Sequence, residues 1–314
     1  MTAITQPRRK QRRKKVSASR TVVNVAMIVG SLVMAYPLIF GLAATFTTVE
    51  GFAKSTFWPL ITAPTLSNWE AIAQLPPTVA IWFFNTVLRI AWYILVPGIV
   101  AVLCGYVFAR LRFRGRILAF NILLSGMMFP GIVFLIPTYV LMARVPFLGG
   151  NDATGQGGHG LINSFAALMI AGLCNATYIF LVRQAIISIP PDFEEAARLD
   201  GAGLIRVLWH VYLPLLRPVI IVMAIFQSVA IWNDYMWPLI TVSGNAEAWT
   251  IGLGGQNLMS DMATLKAATS NQSVLSDVPM AFTVANLAML PPIILFFFLQ
   301  RHFVKGMQGF SLKG

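Results

Sequence analysis

Charge is what this chain of 314 residues lacks most: 11% of its residues are Asp, Glu, Lys or Arg, against roughly 25% in a typical soluble domain. A soluble globule cannot cover itself with so little charge, which excludes a cytosolic globule, a secreted globule and a disordered chain together. Histidine is scarce as well. His159, His210 and His302 lie far apart in the sequence, and neither H-E-x-x-H nor G-x-S-x-G occurs, so metal-assisted or serine hydrolysis has no framework. The two cysteines, Cys104 and Cys174, sit in apolar runs without C-x-x-C spacing. That argues against a disulfide framework or a zinc site and for buried small hydrophobes. There is no G-x-x-x-x-G-K-[ST] phosphate loop, no evident internal repeat, and no room for a soluble domain beside the apolar segments.

What the chain has in excess is apolar surface: 57% of residues are hydrophobic, with 22 Phe and 14 Met, and mean hydropathy is +0.73. A membrane-crossing helix needs about 20 mostly apolar residues. Six segments qualify: 21–46, 81–109, 117–142, 161–182, 215–238 and 279–300. The first is too long for a signal peptide's apolar region of about 7–15 residues and reads as a retained helix. Prolines inside these runs (Pro37, Pro97, Pro130, Pro137, Pro218, Pro291, Pro292) predict kinks rather than ends, because neighbouring helices can satisfy the freed carbonyls.

The net charge of +12 is unevenly placed, with eight of the 23 Lys and Arg in residues 1–20. That tail has no aromatic residue to stack a base, so it reads as a lipid-facing membrane flank and not a nucleic-acid arm. With the N-terminus inside, the segments 1–20, 110–116, 183–217 and 301–314 are cytoplasmic and hold 19 of the 23 cations. The positive-inside rule therefore predicts an all-α integral membrane protein with both termini cytoplasmic. Its parts are a basic tail over 1–20, a six-helix transmembrane domain over 21–300 and a second tail over 301–314. The glycine-rich stretch 149–160 then lies outside and reads as a flexible connector.

The segment 189–218, IPPDFEEAARLDGAGLIRVLWHVYLPLLRP, is the most informative. Pro190-Pro191 stops one helix, Asp192 is a candidate N-cap for the next, and Glu194 and Glu195 suit its first turn. Gly201 allows a tight turn, and a second amphipathic piece, 204–211, leads to Leu213-Pro214. The result is a helix–turn–helix with small Ala196 and Ala197 for close approach of a partner. The spacing Glu195-Ala196-Ala197, three residues, Gly201, nine residues, Val211-x-Leu213-Pro214 resembles the EAA loop of ABC-importer permeases. Asn85-Thr86, Gly105-Tyr106, Ala109-Arg110, Phe129-Pro130, Ile136-Pro137, Trp232-Asn233-Asp234 and the ending QRHFVKGMQGFSLKG are similar to the carbohydrate-uptake branch, in particular to second permease subunits of maltose-type importers.

The resemblance implies a type I ABC importer permease fold, with a coupling loop over 189–214 in which Glu194, Glu195, Ala196, Ala197, Asp200, Gly201, Leu213 and Pro214 contact an ATPase. It also implies a second permease, a pair of ATPase subunits, an external solute-binding protein and a carbohydrate or polyol-type solute, in the plasma membrane. No cofactor would be bound by this chain; ATP and Mg would sit on the partner subunits, and no residue here would be catalytic. The tail over 301–314, rich in Gly with Phe310, suits an extended peptide reaching the ATPase subunits, or a basic segment lying on lipid.

Intramembrane charge is expensive unless paired or hydrated. Arg89 sits about 12 Å below its end of the second segment and Asp234 about 6 Å below the matching end of the fifth. They either pair at an outer gate, beside Trp232 and Asn233, or are anchored separately by hydration and snorkelling. Gln227, Ser228 and Asn286 fall near mid-membrane, as lining for a sugar path or as interhelical hydrogen bonds.

Overall fold

A computed structural model describes residues 18–54, 64–73, 78–258, 260 and 278–311. Most of the basic tail, Lys266 and the last three residues therefore lie outside the described residues. Those described are helical, with one isolated bridge, Thr47–Pro64, and no strand. The chain forms two units, Met1–Trp69 with Val278–Thr283 and Glu70–Asp277 with Val284–Gly314.

In the smaller unit, α1 (Ala18–Ala44) contains an apolar stretch, Thr21–Ala44, that is mostly exposed. Such a surface would aggregate in water; in hydrocarbon it costs nothing. The chain then turns through α2 (Val49–Lys54), whose Phe52 joins Phe40 and Phe282 in an aromatic cluster with centroids 5.9–6.2 Å apart. Asn68 donates to the Thr45 and Thr47 carbonyls and closes the connection to α3 (Ser67–Ala73).

The larger unit is built on α4 (Thr78–Arg110), followed by α5 (Arg116–Ser125), α6 (Leu135–Ala143), α7 (Phe165–Ile170) and α8 (Ala176–Ser188). Then come α9 (Asp192–Leu199), α10 (Leu204–Val207), α11 (Leu213–Trp232), α12 (Met236–Val242), α13 (251–258) and α14 (Val278–Ser311), which begins in the smaller unit. Among the described residues, three helical stretches are long and apolar enough to cross a membrane: Thr21–Ala44, Val79–Arg110 and Leu204–Trp232.

The expected segment 117–142 is two helical pieces, Arg116–Met128 and Gly131–Ala143, bent by 102°. At Pro130 the kink expectation is therefore wrong. A residue before proline is pushed out of the α region, and Phe129 is extended at φ −88°, ψ 135°, so the helix ends there. At Pro37, Pro97, Pro218, Pro291 and Pro292 the helices continue. The segment expected over 161–182 is likewise broken, between α7 and α8.

Two further expectations change. The stretch 149–160 is a folded loop: buried Asn151 donates to the Ala143 and Val145 carbonyls and accepts from Gly158 N–H, while Asp152 accepts from Thr154 and Gln156 amides. Its glycines permit backbone contact, since a Cβ on Gly158 would collide with the Gly149 carbonyl. The amide of Gln156, then Thr154, hold the Asp152 carboxyl below the usual range. The second difference is that residues 301–311, expected as an extended peptide or as a basic segment lying on lipid, are not extended but continue α14 to Ser311. No proline follows Pro292, and isolated glycines in a helix cost about 1 kcal/mol each without breaking it.

The core lies where α4, α8 and α11 meet: Ala101; Ile179, Val182 and Ile186; Leu216, Val219 and Met223. The α8 members recur at helical spacing, one face toward α4 and α11. Because lipid tails are as apolar as these side chains, close packing rather than water exclusion holds such helices together. Gly105 makes it possible, since a Cβ there would stand 2.6 Å from Val182 Cγ1. Gly105→Leu should separate α4 from α8 at a cost of about 1–3 kcal/mol; thermal unfolding in detergent, followed by size-exclusion fluorescence, should show a lower midpoint than for wild type.

Candidate functional site

The EAA-like segment folds as α9, starting at Asp192 with Pro191 as N-cap, so Asp192 is the first helical residue and not the cap. The helix ends in a Schellman motif: Gly201 N–H donates to the Arg198 carbonyl at 3.0 Å and Ala202 N–H to the Ala197 carbonyl at 2.9 Å. Gly201 sits at φ +79°, a left-handed conformation that favours glycine, and its Cβ direction points into open space. Glu195, Ala196, Leu199 and Asp200 are exposed and Ala197 is half-buried. Sequence reasoning missed two exposed apolar side chains here, Phe193 at 54% and Leu199 at 89%. The second piece is not separate: α10 runs through a π-helical turn over Leu208–Tyr212 directly into α11. The widened turn precedes Pro214, whose ring would clash with the carbonyl four residues back in a regular helix.

Glu194 points inward. Its Oε1 accepts from Tyr106 O–H at 2.6 Å and from Arg198 at 2.8 Å, and its Oε2 accepts from Tyr212 O–H at 2.7 Å, with Arg110 Nε 3.7 Å away. Arg110 also donates to Tyr212 Oη and to the Ile186 and Ile189 carbonyls at the end of α8. Both tyrosines are buried, edge to face at 5.4 Å. Burial opposes ionisation of Glu194, but hydrogen bonds from Tyr106, Tyr212 and Arg198 outweigh it and hold the carboxyl below the ordinary range. Tyr106, Arg110 and Tyr212 went unremarked as site residues, although Tyr106 and Arg110 share one face four residues apart on the last turns of a long apolar helix.

At the other end of α4, Arg89 and Asp234 form an ion pair at 2.6 Å. Arg89 is 2% exposed and its Nε donates to the Leu168 carbonyl. Asp234 Oδ1 accepts from Trp237 N–H at the start of α12. Trp232 donates to the Ala288 carbonyl and meets Phe83 edge to face, whereas Asn233 folds back to the Val229 carbonyl and closes α11. Here Trp82 and Asn85 of α4 donate to the Ala246, Glu247 and Trp249 carbonyls, and Thr86 accepts from Ile251 N–H.

Of the mid-membrane polar residues, Gln227 is buried and lines an apolar groove of 640 Å³ between α4 and α11, whose α4 wall includes Leu95 and Ile99. Ser228 donates to the Ala224 carbonyl, its own helix, and Asn286 is half-buried on α14. The structure thus brings Arg89 and Asp234 together and gathers Glu194 with α4, while Gln227 and Ser228 line different grooves. Among the described residues no group of His, Cys, Asp and Glu could hold a metal ion.

Residues 101–309 match the model of the binding-protein-dependent transport system inner membrane component family. The chain belongs to that family. It is 27% identical to protein LplC of Bacillus subtilis over 283 residues, covering 88% of this chain and 89% of LplC. It is also 27% identical to the arabinooligosaccharides transport system permease protein AraQ of Halalkalibacterium halodurans, over 74% of each chain. A chain of the crystal structure of a bacterial ABC transporter involved in the import of the acidic polysaccharide alginate superposes with a TM-score of 0.72, over 92% of this permease and 99% of that chain, at 22% identity. The permease therefore has the fold of an ABC importer's membrane subunit.

Two outcomes test the site. Asp234 keeps 23% of its side chain exposed while Arg89 keeps 3%, so Asp234→Leu, which strands a buried cation, should destabilise by about 3–5 kcal/mol. Arg89→Leu should cost less, and the double variant should be milder than Asp234→Leu alone; additive losses in unfolding midpoint would show that the two charges act independently. For Glu194, a folded-state pKa below the unfolded value near 4.3 gives stability that is complete above that value and is lost as pH falls through the folded one. Glu194→Gln should unfold at a lower temperature than wild type at neutral pH, with the gap narrowing below about pH 4.

Proposed function

We propose that the permease is one of two membrane subunits of an ATP-driven importer for a carbohydrate or polyol-type solute. An external binding protein delivers the solute, and cytoplasmic ATPase subunits drive the two permeases between outward- and inward-facing states. In this reading the chain crosses the membrane six times, through α1, α4, the α5–α6 pair, α7–α8, α11 and α14, with both termini cytoplasmic. The observation that carries the reading is α9: the EAA-like spacing coincides with a short exposed helix that displays Phe193, Glu195 and Leu199 and is closed by Gly201. Such a knob suits docking into a cleft of an ATPase, with small Ala196 allowing close approach and Glu195 offering charge. The solutes of relatives, arabinooligosaccharides for AraQ and alginate for the superposed transporter, support a carbohydrate solute; another small polar solute is the alternative. Arg89, Trp232, Asn233 and Asp234 would then close the outer end, and Gln227, Ser228 and Asn286 would be candidates for the path.

Gly201 separates docking from folding. Asparagine tolerates the left-handed region and adds bulk where the space is open. In reconstituted vesicles containing all subunits, Gly201→Asn should leave membrane insertion intact and reduce binding of the ATPase subunits and binding-protein-stimulated ATP hydrolysis about tenfold, a loss of about 1.4 kcal/mol in docking. Wild-type stimulation in this variant would count against α9 as the docking element.

A further inference from the structure

Glu194 is the carboxylate that docking does not use, because it faces away from the exposed side of α9. The helix has little else to hold it. Its two large apolar residues, Phe193 and Leu199, are exposed, and Ala197 is the small side chain that reaches the core. Covalently it hangs between Pro190-Pro191 and the Gly201 turn. What fastens it is chiefly one carboxylate, bonded to Tyr106 of α4 at 2.6 Å and to Tyr212, ahead of α11, at 2.7 Å, with Arg198 of α9 donating to the same Tyr106 hydroxyl at 3.3 Å. Arg110 of α4, 3.7 Å from that carboxylate, holds the terminal carbonyls of α8. Arg198, on α9 itself, fixes the carboxylate rotamer from the same helix. Three segments, α4, α9 itself and the turn ahead of α11, converge on one ionised group, and α8 joins them through Arg110; hydrogen bonds keep the group charged in spite of burial. Seventeen residues along α4, about 25 Å away, the Arg89–Asp234 pair ties α4 to the far end of α11. The same two helices are thus cross-tied at both ends.

We propose that Glu194 is a positioning residue of the importer, locking α9 to α4, α8 and α11 so that a displacement imposed on α9 reaches the membrane helices as one rigid movement. The proposal rests on the docking role given to α9 above. Two-state claims about transmission need a measured coupling, and this one has a direct readout that requires no knowledge of the solute.

Nitroxide labels on Asp192→Cys and Leu103→Cys, both exposed, in a chain with Cys104 and Cys174 replaced by Ser, report the α9–α4 distance. It is measured in the assembled complex, nucleotide-free and trapped with Mg-ATP and vanadate. With Glu194 intact the distance should be the same in both states. In Tyr106→Phe/Tyr212→Phe, which keeps both rings and removes both hydroxyls, the trapped-state distribution should shift and broaden about twofold, as α9 moves without α4. Glu194→Gln should lie between the two. A distance that already changes in the parent labelled chain, or one that stays fixed in the double variant, overturns the proposal. A parent complex that recruits no ATPase subunit overturns the docking reading instead, and this proposal falls with it.

Discussion

A carboxylate taken out of water must be answered by donors, and Glu194 is answered by two tyrosine hydroxyls and an arginine, with a second arginine close by. Everything at this end of the molecule is arranged by that requirement. Tyr106 and Tyr212 must be buried to reach it, so α4 and the start of α11 must converge. Arg110 lies near it, and from there it also donates to the Ile186 and Ile189 carbonyls at the end of α8. In hydrocarbon, two apolar helices gain little by touching each other rather than lipid. Polar ties at the helix ends, together with close packing at Gly105, therefore decide which helices are neighbours.

The opposite end of the same helix pair obeys the same rule with different residues. Arg89 would be prohibitive alone, at 2% exposure, and it finds Asp234 across 145 positions of sequence. Asn85, Thr86 and Trp82 bond backbone groups of the stretch 246–251. The Trp232-Asn233-Asp234 run makes sense residue by residue: a packing ring, a helix closure and a shared charge. The packed core between α4, α8 and α11 is mostly apolar, and Gln227 and Ser228 are polar residues buried on α11.

Much of this was legible in advance where a single residue type has a single physical use. Gly201 predicts a left-handed turn, and Arg89 and Asp234 at matching depths predict either a pair or two anchors. Long apolar runs predict α4 and α11 to within a few residues at one end. What was not legible depended on direction. Glu194 and Glu195 are adjacent and chemically equivalent, and a helical phase set by Ala197 and the Gly201 cap sends one inward and the other out. Pro130 was read as a kink like the other prolines. Its partner residues, Phe129 ahead and Gly131 behind, remove the helical continuity that Pro97 and Pro218 retain. The glycine-rich loop looked flexible because composition cannot show that Asn151 bonds three backbone groups at once.

Exposure of apolar side chains carries opposite meanings in α1 and α9. On α1, Val22, Leu32 and Met34 are exposed along a charge-free stretch long enough to cross a bilayer, and lipid is a cover that fits them. Residues 192–200 carry Asp192, Glu194, Glu195, Arg198 and Asp200, too much charge for hydrocarbon. An interfacial helix would need cations toward an anionic leaflet, and this one is acidic. Lipid is therefore a poor cover for Phe193 and Leu199, and water is a poor one too. The cover that fits is a protein surface with apolar walls and a basic rim, which is the surface the proposed ATPase partner has to present.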